Sequence, residues 1–297
     1  MIAITGASGH LGQATARHVA TASGDGLVLA TRAPESVRGL VPGAEARFAD
    51  FDQPESLPTA FAGVSALLLI STDTVDNRSR QHAAAIDAAR AAGVDRIVYT
   101  SMLSPGPGNP ALISDSHWAT EEYLRSSGVA FTILRCGLYA DFQVFEAAEA
   151  LASGRFVHNR GSGGCSYVCR EDIARAAAAV LVGGMHEGST YELTGPESLS
   201  ASQLTELYSA VGGRPVEEVP VDDDELLSLL NGGASVDGHV QYGAALTVSL
   251  GQAIRGGHFG GVTTTVQELT GLPPRSVESL LSDSADALRD AGMIAGL

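Results

Sequence analysis

The chain has 297 residues, of which 44% are hydrophobic and 18% are charged, so it can bury a sizeable core and form one large α/β domain or a nucleotide domain with a smaller one appended. Its formal net charge of −16 opposes binding to a nucleic-acid backbone or an anionic membrane surface. All 18 of its Lys and Arg residues are arginines, and the absence of lysine excludes a lysine Schiff base, a Walker-type phosphate lysine and a Tyr-x-x-x-Lys catalytic pair.

A glycine-spaced loop follows the first predicted strand. The apolar segment ending at Thr5 runs into an amphipathic helix through the sequence Gly6-Ala7-Ser8-Gly9-His10-Leu11-Gly12. Such glycines permit a tight turn, close approach of the backbone to a pyrophosphate, and packing of the helix on the sheet, while the helix N-terminus attracts anions. The G-x-x-G-x-x-G spacing is weaker evidence than G-x-G-x-x-G, and an ordinary glycine-rich turn is the alternative. The flanking strand and helix favour a dinucleotide-binding loop.

The second predicted strand, Leu27–Thr31, ends at a basic residue. Arg32 lies twenty residues after Gly12, where an acidic side chain would bind the ribose 2′-hydroxyl of NAD and a basic one the 2′-phosphate of NADP. A guanidinium matches phosphate geometry, so Arg32 favours NADP(H) as the cofactor. Arg38 is a candidate for a second phosphate contact, although an exposed surface position explains it equally well.

Strands and helices alternate along the first half of the chain. The further predicted strands are Ala46–Ala49, Ala66–Ile70, Arg96–Thr100 and Ala130–Leu134, and the helices between them are Pro54–Phe61, Asn77–Ala92 and Ser114–Ser127. This alternation predicts an α/β fold with a doubly wound parallel sheet and a ligand at the carboxyl ends of its strands. We expect a nucleotide-binding core over residues 1–140, with strands returning around 165–195, and a smaller, mostly helical substrate-binding cap over 141–297.

The second half of the chain is less regular. Strands are predicted at Ser166–Cys169 and Ser189–Leu193, and helices at Asp141–Leu151, Glu171–Val182, Ser200–Val211 and Pro274–Ala291. Ser200 is a predicted N-cap, with Gln203 three residues later. The carboxylates of residues 222–225 are expected to begin a helix, where the dipole favours them, and not to bind a metal.

Cysteine usage and hydropathy bound the compartment. Cys136, Cys165 and Cys169 form an odd, sparse set that implies no disulfide framework, and no nearby histidine completes a zinc site. The first strand begins at residue 2, which leaves no room for a signal peptide, and no apolar run reaches the roughly 20 residues that span a bilayer. We therefore expect a cytoplasmic protein without a metal.

These residues resemble a known family. The chain is similar to the NmrA-like branch of the atypical short-chain dehydrogenases, in particular to the bacterial NADPH-dependent quinone oxidoreductases and, more loosely, the triphenylmethane dye reductases. Besides the glycine loop, the resemblance rests on segments spread over most of the chain: Arg32-Ala33-Pro34, Leu67-Leu68-Leu69-Ile70-Ser71, Gln81-His82, Tyr99-Thr100-Ser101, His117 with Thr120-Glu121, Leu134-Arg135, and Gly137 with Tyr139.

The resemblance implies a Rossmann fold that binds NADPH through the glycine loop and Arg32. It also implies a coenzyme wall formed by Leu69, Ile70 and Ser71, and a nicotinamide neighbourhood that begins at Cys136 and Gly137 and continues through Leu138 to Tyr139. The chain departs from the family where Asn is replaced by Cys136 and Trp by Leu138, positions expected to line the substrate pocket.

Three residues are candidates for the chemistry. His117 and Glu121, four apart on one predicted helical face, stand where the ordinary enzymes place their Tyr and Lys, and His117 is the first candidate for proton donor. Tyr139 is expected to position the acceptor, and Ser101 to hydrogen-bond it. Structural roles are the alternatives: His117 as a cap for Glu121, Tyr139 in packing, and Ser101 in capping the backbone.

The leading hypothesis is therefore an NADPH-dependent reductase of quinones or related conjugated small molecules. Such acceptors give delocalised anions that demand little from a proton donor, so rate would come mostly from orientation over the coenzyme. The alternatives are a regulator that senses NADP(H) without turnover, and a biosynthetic reductase of an aromatic or enone metabolite. A homodimer is possible.

Overall fold

A computed structural model describes residues 1–24, 26–74, 76–232 and 238–294, with only the backbone described at 238–241 and 291–294. Seven strands form one sheet in the order β3-β2-β1-β4-β5-β6-β8, and every pairing in it is parallel. The strands are β1 Ile2–Thr5, β2 Leu27–Thr31, β3 Glu45–Phe48, β4 Ala66–Leu69, β5 Arg96–Met102, β6 Ala130–Cys136 and β8 Thr190–Leu193. The predicted doubly wound α/β class is confirmed.

Helices connect these strands and extend the chain beyond them. They are α1 His10–Ala22, α2 Leu57–Ala60, α3 Arg78–Ala91, α4 Ser114–Ser126, α5 Phe142–Ser153, α6 Arg170–Val182, α7 Ala201–Gly212, α8 Asp223–Leu230, α9 Gly238–Arg255, α10 Thr265–Thr270, α11 Val277–Asp283 and α12 Ala285–Ile294. None of those in the described ranges combines the length and apolarity that a membrane crossing requires.

Alternating side chains of the strands supply two buried layers. Ile2 and Ile4 of β1 lie in a core with Val19 of α1 and Ile173 of α6, while Ala3 faces a second core on the opposite side of the sheet. That opposite core contains side chains from α2, α3 and α4. Both faces of the sheet are therefore covered, which is why its strands read as continuous apolar runs.

A third core lies in the second half of the chain. It packs helices α5, α7, α9, α11 and α12 against a two-stranded parallel ribbon of β7 Arg155–His158 and β9 Glu217–Pro220. The region is mostly helical, as expected, although α6 and β8 return to the main sheet. The division into a core of residues 1–140 and a cap of 141–297 stays a prediction.

Two predictions for this half are wrong. Ser166–Cys169 is not a strand of the sheet, because its backbone bonds three separate segments: Ser166 N–H donates to Phe259 O, Val168 N–H to Leu138 O, and the neighbouring Cys165 N–H to Leu199 O. The single helix predicted over Pro274–Ala291 is two helices, because Ser284 leaves the helical region at φ −102° and ψ 7°. Both errors come from contacts between distant segments that local pattern does not encode.

The polar helix starts are confirmed. Ser200 and Gln203 form a reciprocal capping box at α7. Asp222 accepts a hydrogen bond from Glu225 N–H at the start of α8. Asp223 also accepts from Asn159, Gln252 and Arg255, so it joins α8 to α9 and to the residue after β7.

The order in which the chain adds strands to the sheet reverses between β1 and β4, and α1 begins directly over this switch point. The backbone of Gly6 has φ +59°, a conformation that favours glycine. A Cβ at Gly12 would lie 2.4 Å from Gly6 O and 2.8 Å from Ala7 Cα. The first turn of α1 therefore rests on the loop so closely that only a hydrogen fits at position 12.

This contact predicts opposite effects for two helical glycines. Gly243→Ala in α9, where a new Cβ meets nothing within 4 Å, should stabilise the protein by about 0.5–1 kcal/mol, because alanine loses less entropy on folding. Gly12→Ala should destabilise it by about 1–3 kcal/mol, because the helix must shift away from Gly6 O. Urea unfolding measures both, and a Gly12→Ala protein as stable as Gly243→Ala would contradict the packing described.

Candidate active site

A cleft of about 280 Å³ opens at the carboxyl ends of β1, β2, β3 and β4. Six residues predicted to bind the coenzyme line it: Gly6, Ser8, Gly9, Arg32, Ile70 and Ser71. Its lining also includes residues that sequence reasoning missed, namely Asp50, Phe51, Asp52, Thr72, Asp73, Thr74 and Gln81. Except for Gln81, which lies in α3, these residues follow β3 or β4, and that position is the signal that could have found them, since ligands bind at that edge of such sheets.

The remaining predicted coenzyme residues lie outside the lining of this cleft. Ala7 and Leu11 are buried at the glycine loop, His10 is exposed at the start of α1, and Gly12 is the helical glycine described above. Leu69 is buried in β4, and Cys136 and Gly137 lie at the end of β6. Their coenzyme contacts stay predictions.

The glycine loop is held rigidly at the cleft edge. Thr31 Oγ1 donates to Ser8 Oγ at 2.9 Å, and Gln13 Nε2 donates to Ser8 O at 2.9 Å. Gly9, the N-cap of α1, has no side chain with which to cap the N–H groups of the first turn. A preformed loop with uncapped N–H groups and no space for a Cβ suits the phosphates of a dinucleotide.

Two arginines near the end of β2 differ in their environment. Arg32 is exposed, lines the cleft, and makes no hydrogen bond or ion pair with any residue in the described ranges. Arg38 instead pairs with Glu35 at 2.8 Å on the open surface. Arg32 is therefore the cation free to meet an anion in the cleft.

The wall opposite the glycine loop is fixed by threonines. Ile70 N–H donates to Thr5 Oγ1 at 3.0 Å, and Ser71 N–H donates to Thr100 Oγ1 at 3.0 Å. Thr72 continues this wall, and its hydroxyl donates to Gln81 Oε1 at 2.9 Å. The end of β4 is thereby tied to β1, β5 and α3.

A polar cluster lies behind Thr72 and consists of Arg78, His82, Tyr99, His117 and Thr120, all buried. Thr72 N–H donates to His82 Nε2 at 3.1 Å, so the proton of this imidazole resides on Nδ1 and is donated to Thr120 Oγ1 at 3.0 Å. Burial, and secondarily the charge of Arg78, lowers the pKa of His82 to about 3. His82 is therefore neutral at physiological pH.

His117 is also held neutral. Its Nδ1 lies 2.8 Å from Tyr99 Oη. Burial, followed by the neighbouring Arg78 and His82, lowers the pKa of His117 well below its usual value, and burial raises that of Tyr99. A proton from His117 is thus available only from a neutral ring, which is a weak acid. Its assignment as proton donor stays a prediction.

The predicted pairing of His117 with Glu121 does not occur. The carboxylate of Glu121 is fully buried and accepts from Ser101 Oγ at 2.6 Å, from Arg135 at 3.0 and 2.7 Å, and from Arg125 at 3.1 Å. This hydrogen bonding raises the pKa of Arg135. The Ser101 hydroxyl donates its proton to Glu121, so any contact of Ser101 with an acceptor would use only its oxygen lone pairs.

The end of β6 packs closely against a neighbouring loop. A Cβ at Gly137 would lie 2.7 Å from Ser166 O, so this position requires glycine. Burial raises the pKa of the Cys136 thiol to about 12, which keeps it protonated and unreactive. Leu138 and Tyr139 follow and are partly exposed.

Tyr139 belongs to an aromatic stack. Its ring centroid lies 6.2 Å from that of Phe142 with an interplanar angle of 16°. The guanidinium carbon of Arg170 lies 4.6 Å from the Tyr139 ring centroid and 4.7 Å from that of Phe142. The Phe142 ring is 53% exposed, so the stack presents a flat apolar surface beside the end of β6.

The described ranges contain no group of three or more His, Cys, Asp or Glu side chains able to hold a metal ion. The three cysteines are free and buried.

A parallel sheet with a glycine loop at its switch point defines a dinucleotide-binding protein. The sequence matches the family model described as NAD(P)H-binding over residues 6–182. The chain belongs to this NAD(P)H-binding family.

Relatives extend over nearly the whole chain. Quinone oxidoreductase 2 of Escherichia coli is 34% identical over 284 residues, covering 95% of this chain and 98% of the relative. A relative from Streptomyces griseus, named (4-alkanoyl-5-oxo-2,5-dihydrofuran-3-yl)methyl phosphate reductase, is 32% identical over 292 residues, covering 97% of this chain and 99% of the relative.

Solved structures are similar to this chain over nearly its whole length. The E. coli quinone oxidoreductase complexed with NADPH superposes with a TM-score of 0.88 at 32% identity, covering 97% of this chain and 99% of the other. The triphenylmethane reductase of Citrobacter complexed with NADP(H) gives a TM-score of 0.85 at 33% identity, covering 96% and 99%.

The neutral His82 predicts an acid-sensitive fold. Because burial depresses its folded pKa, the unfolded chain takes up a proton below about pH 6.5. The stability this provides is complete above that pH and is lost as the pH falls toward 3. His82→Gln replaces the same donor and acceptor without a titrating group. Between about pH 7.5 and 5, the wild type should lose about 2 kcal/mol more unfolding free energy than His82→Gln.

Urea unfolding at several pH values measures this difference. His10→Gln removes an exposed histidine and should leave the pH dependence of the wild type unchanged. Parallel curves for wild type and His82→Gln would show that His82 is not held neutral by burial.

Proposed function

We propose that the chain is an NADPH-dependent oxidoreductase that transfers a hydride to a quinone or a related conjugated acceptor. The observation that carries the coenzyme choice is the unpaired Arg32 in the cleft, at the strand end where NAD-binding proteins place an acid. The acceptor class is supported by the buried neutral histidines and by relatives named for quinone and dye reduction.

Different residues of the cleft would bind different parts of the coenzyme. The glycine loop and the N-terminus of α1 would hold the pyrophosphate, Arg32 the 2′-phosphate, and Ile70 and Ser71 the wall between them. When bound, reduced nicotinamide supplies a hydride to the acceptor. Gly137 keeps the end of β6 tightly packed beside the region that the acceptor would enter.

The acceptor end makes small demands on acid catalysis. A reduced quinone carries its charge on a delocalised oxygen, so solvent or a weak donor can protonate it. We assign this weak donor to His117. Tyr139, within its stack with Phe142 and Arg170, would place a flat acceptor, with Leu138 and Ser101 as further contacts.

An enone reductase is a second candidate. The S. griseus relative is named for a conjugated butenolide phosphate and aligns over nearly the same length as the quinone reductase. Hydride addition to an enone also forms a delocalised oxyanion, so the same site would serve. Acceptor panels should therefore contain both classes.

Other properties stay predictions: a cytoplasmic location, the absence of nucleic-acid partners, and a homodimer. The strongly acidic charge supports the first two only in that it opposes anionic surfaces.

Arg32→Glu tests the coenzyme assignment. Reversing the charge replaces a charge-assisted hydrogen bond with repulsion, so NADPH affinity should fall by about 100-fold or more, while NADH affinity changes by only a few fold. Fluorescence titration of each coenzyme measures both. Arg155→Glu makes the same charge change on an exposed arginine of β7 and should affect neither coenzyme. Equal losses of NADPH and NADH in Arg32→Glu would mean that Arg32 does not lie at the adenosine phosphate.

Turnover distinguishes an enzyme from a sensor. Stopped-flow mixing of the NADPH complex with a panel of quinones and enones should show loss of reduced-nicotinamide absorbance with at least one class. A protein that binds NADPH tightly yet oxidises it with no acceptor would instead be a regulator that senses the coenzyme.

A further inference from the structure

Arg78 begins α3 and is the only buried arginine in the described ranges, with 4% of its surface exposed. Its Nε donates to Thr72 O at 2.9 Å and its Nη1 donates to Ser116 Oγ at 2.8 Å. Both partners are neutral. The second terminal nitrogen, Nη2, has no hydrogen-bond partner among the residues that the structure describes.

No carboxylate in the described ranges forms an ion pair with Arg78. The contrast is Arg135, which is more exposed and bonds Glu121 through two nitrogens. Asp73 is the carboxylate whose charge acts on the guanidinium, and it is exposed and makes no ion pair with it. A buried cation without an anion is costly, so a structure that keeps one has a use for its field.

The surroundings of Arg78 point to the carboxyl edge of the sheet. Its hydrogen bond to Thr72 O places the guanidinium behind the cleft wall, which Thr72 lines, and its charge acts on Tyr99, Tyr139 and Tyr242. The Tyr242 hydroxyl, on α9, is itself buried without a hydrogen-bond partner in the described ranges. An unpaired guanidinium nitrogen and an unpaired hydroxyl thus interact electrostatically, and the same guanidinium acts on the neutral His117.

We propose that Arg78 stabilises the negative charge that develops on a carbonyl oxygen of the acceptor during its reduction, with the Tyr242 hydroxyl as a second donor. The inference rests on the proposed reductase function. It adds an acceptor class, since it requires a conjugated carbonyl compound such as a quinone or an enone.

The reaction balances without a further redox partner. NADPH delivers a hydride, that is, one hydrogen and two electrons, to the acceptor and becomes NADP⁺. A new bond to hydrogen forms on the acceptor, a carbonyl π bond breaks, and its electron pair rests on oxygen as an oxyanion. Arg78 stabilises this oxyanion by charge and hydrogen bonding, and a proton from His117 or solvent then neutralises it.

Cationic dyes provide a matched acceptor without an oxyanion. A triphenylmethane cation accepts the hydride at carbon and becomes a neutral product, so no proton is taken up and no anion forms. A cation at Arg78 does not assist this reaction. The ratio of quinone to dye reduction therefore isolates the proposed role from folding and coenzyme binding.

Arg78→Gln should lower the single-turnover rate with quinones by about 100-fold, while dye reduction stays equal or becomes faster. Arg78→Lys should recover part of the quinone rate, and Tyr242→Phe should show a smaller loss of the same kind. Arg90→Gln, an exposed position on α3, should match the wild type with both acceptors. Equal losses with quinone and dye would assign Arg78 a structural role, tying Thr72 to Ser116, and contradict the proposal.

A binding measurement tests Arg78 without turnover. 4-Nitrophenol mimics the reduced acceptor, and its phenolate absorbs visibly, so titration with and without NADP⁺ gives the pKa of the bound probe. The wild type should lower that pKa by about one unit or more, and Arg78→Gln should not. This result holds even if neither acceptor is reduced, in which case only the proposed function fails.

Three further outcomes would overturn the proposal. The first is an equal pKa of bound 4-nitrophenol in wild type and Arg78→Gln, and the second is no binding of the probe to either protein. The third is a loss of NADPH affinity in Arg78→Gln as large as the loss of quinone rate, which would place the guanidinium at a coenzyme phosphate.

Discussion

The constraint on which the site depends is that all seven strands of the main sheet run parallel, so their carboxyl ends meet at one edge. Between β1 and β4 the chain departs in opposite directions, and this leaves a gap that no connection fills. α1 begins over the gap, and it can pack closely against the loop because Gly12 has no Cβ. The cleft, its uncapped N–H groups and its arginine all follow from this arrangement, because they lie at the carboxyl ends of β1 and its neighbouring strands, next to this gap.

The same edge must satisfy many buried polar groups, and it does so unequally. The carboxylate of Glu121 receives donors from α4, β5 and β6, so a buried charge there is matched by its partners. The polar cluster around Arg78 contains a buried positive charge without such a charged partner. The imidazoles of His82 and His117 are kept neutral in part by the nearby cation of Arg78, whose own bonds go to uncharged oxygens. The region is thus electropositive without containing an acid strong enough to protonate a weak base.

Much of the fold could be predicted because local pattern encodes it. β2 lies at its predicted bounds, and helix ends with side-chain caps, such as that at Ser200, were found from sequence alone. Predictions failed where distant segments decide. The backbone of residues 165–169 bonds three separate parts of the chain, and the donation from Ser101 to Glu121 depends on which residues of β5 and α4 meet. Arg78 gave no signal, because an arginine at a helix start is normally a solvated charge, and its burial follows only from tertiary packing, which includes its hydrogen bond to Ser116 of α4.

Lysine and arginine would behave differently at the buried position of Arg78. A lysine buried as deeply as Arg78 would hold its charge less firmly than an arginine, because burial disfavours the charged form and the ammonium starts from a lower pKa. Burial lowers the pKa of the Arg78 guanidinium too, but from a much higher starting value, so the charge persists. A guanidinium also keeps free donors after two of its nitrogens are committed to Thr72 and Ser116. A fixed cation that cannot act as an acid can stabilise an oxyanion but cannot protonate it, which restricts efficient reduction to acceptors whose anions are already delocalised.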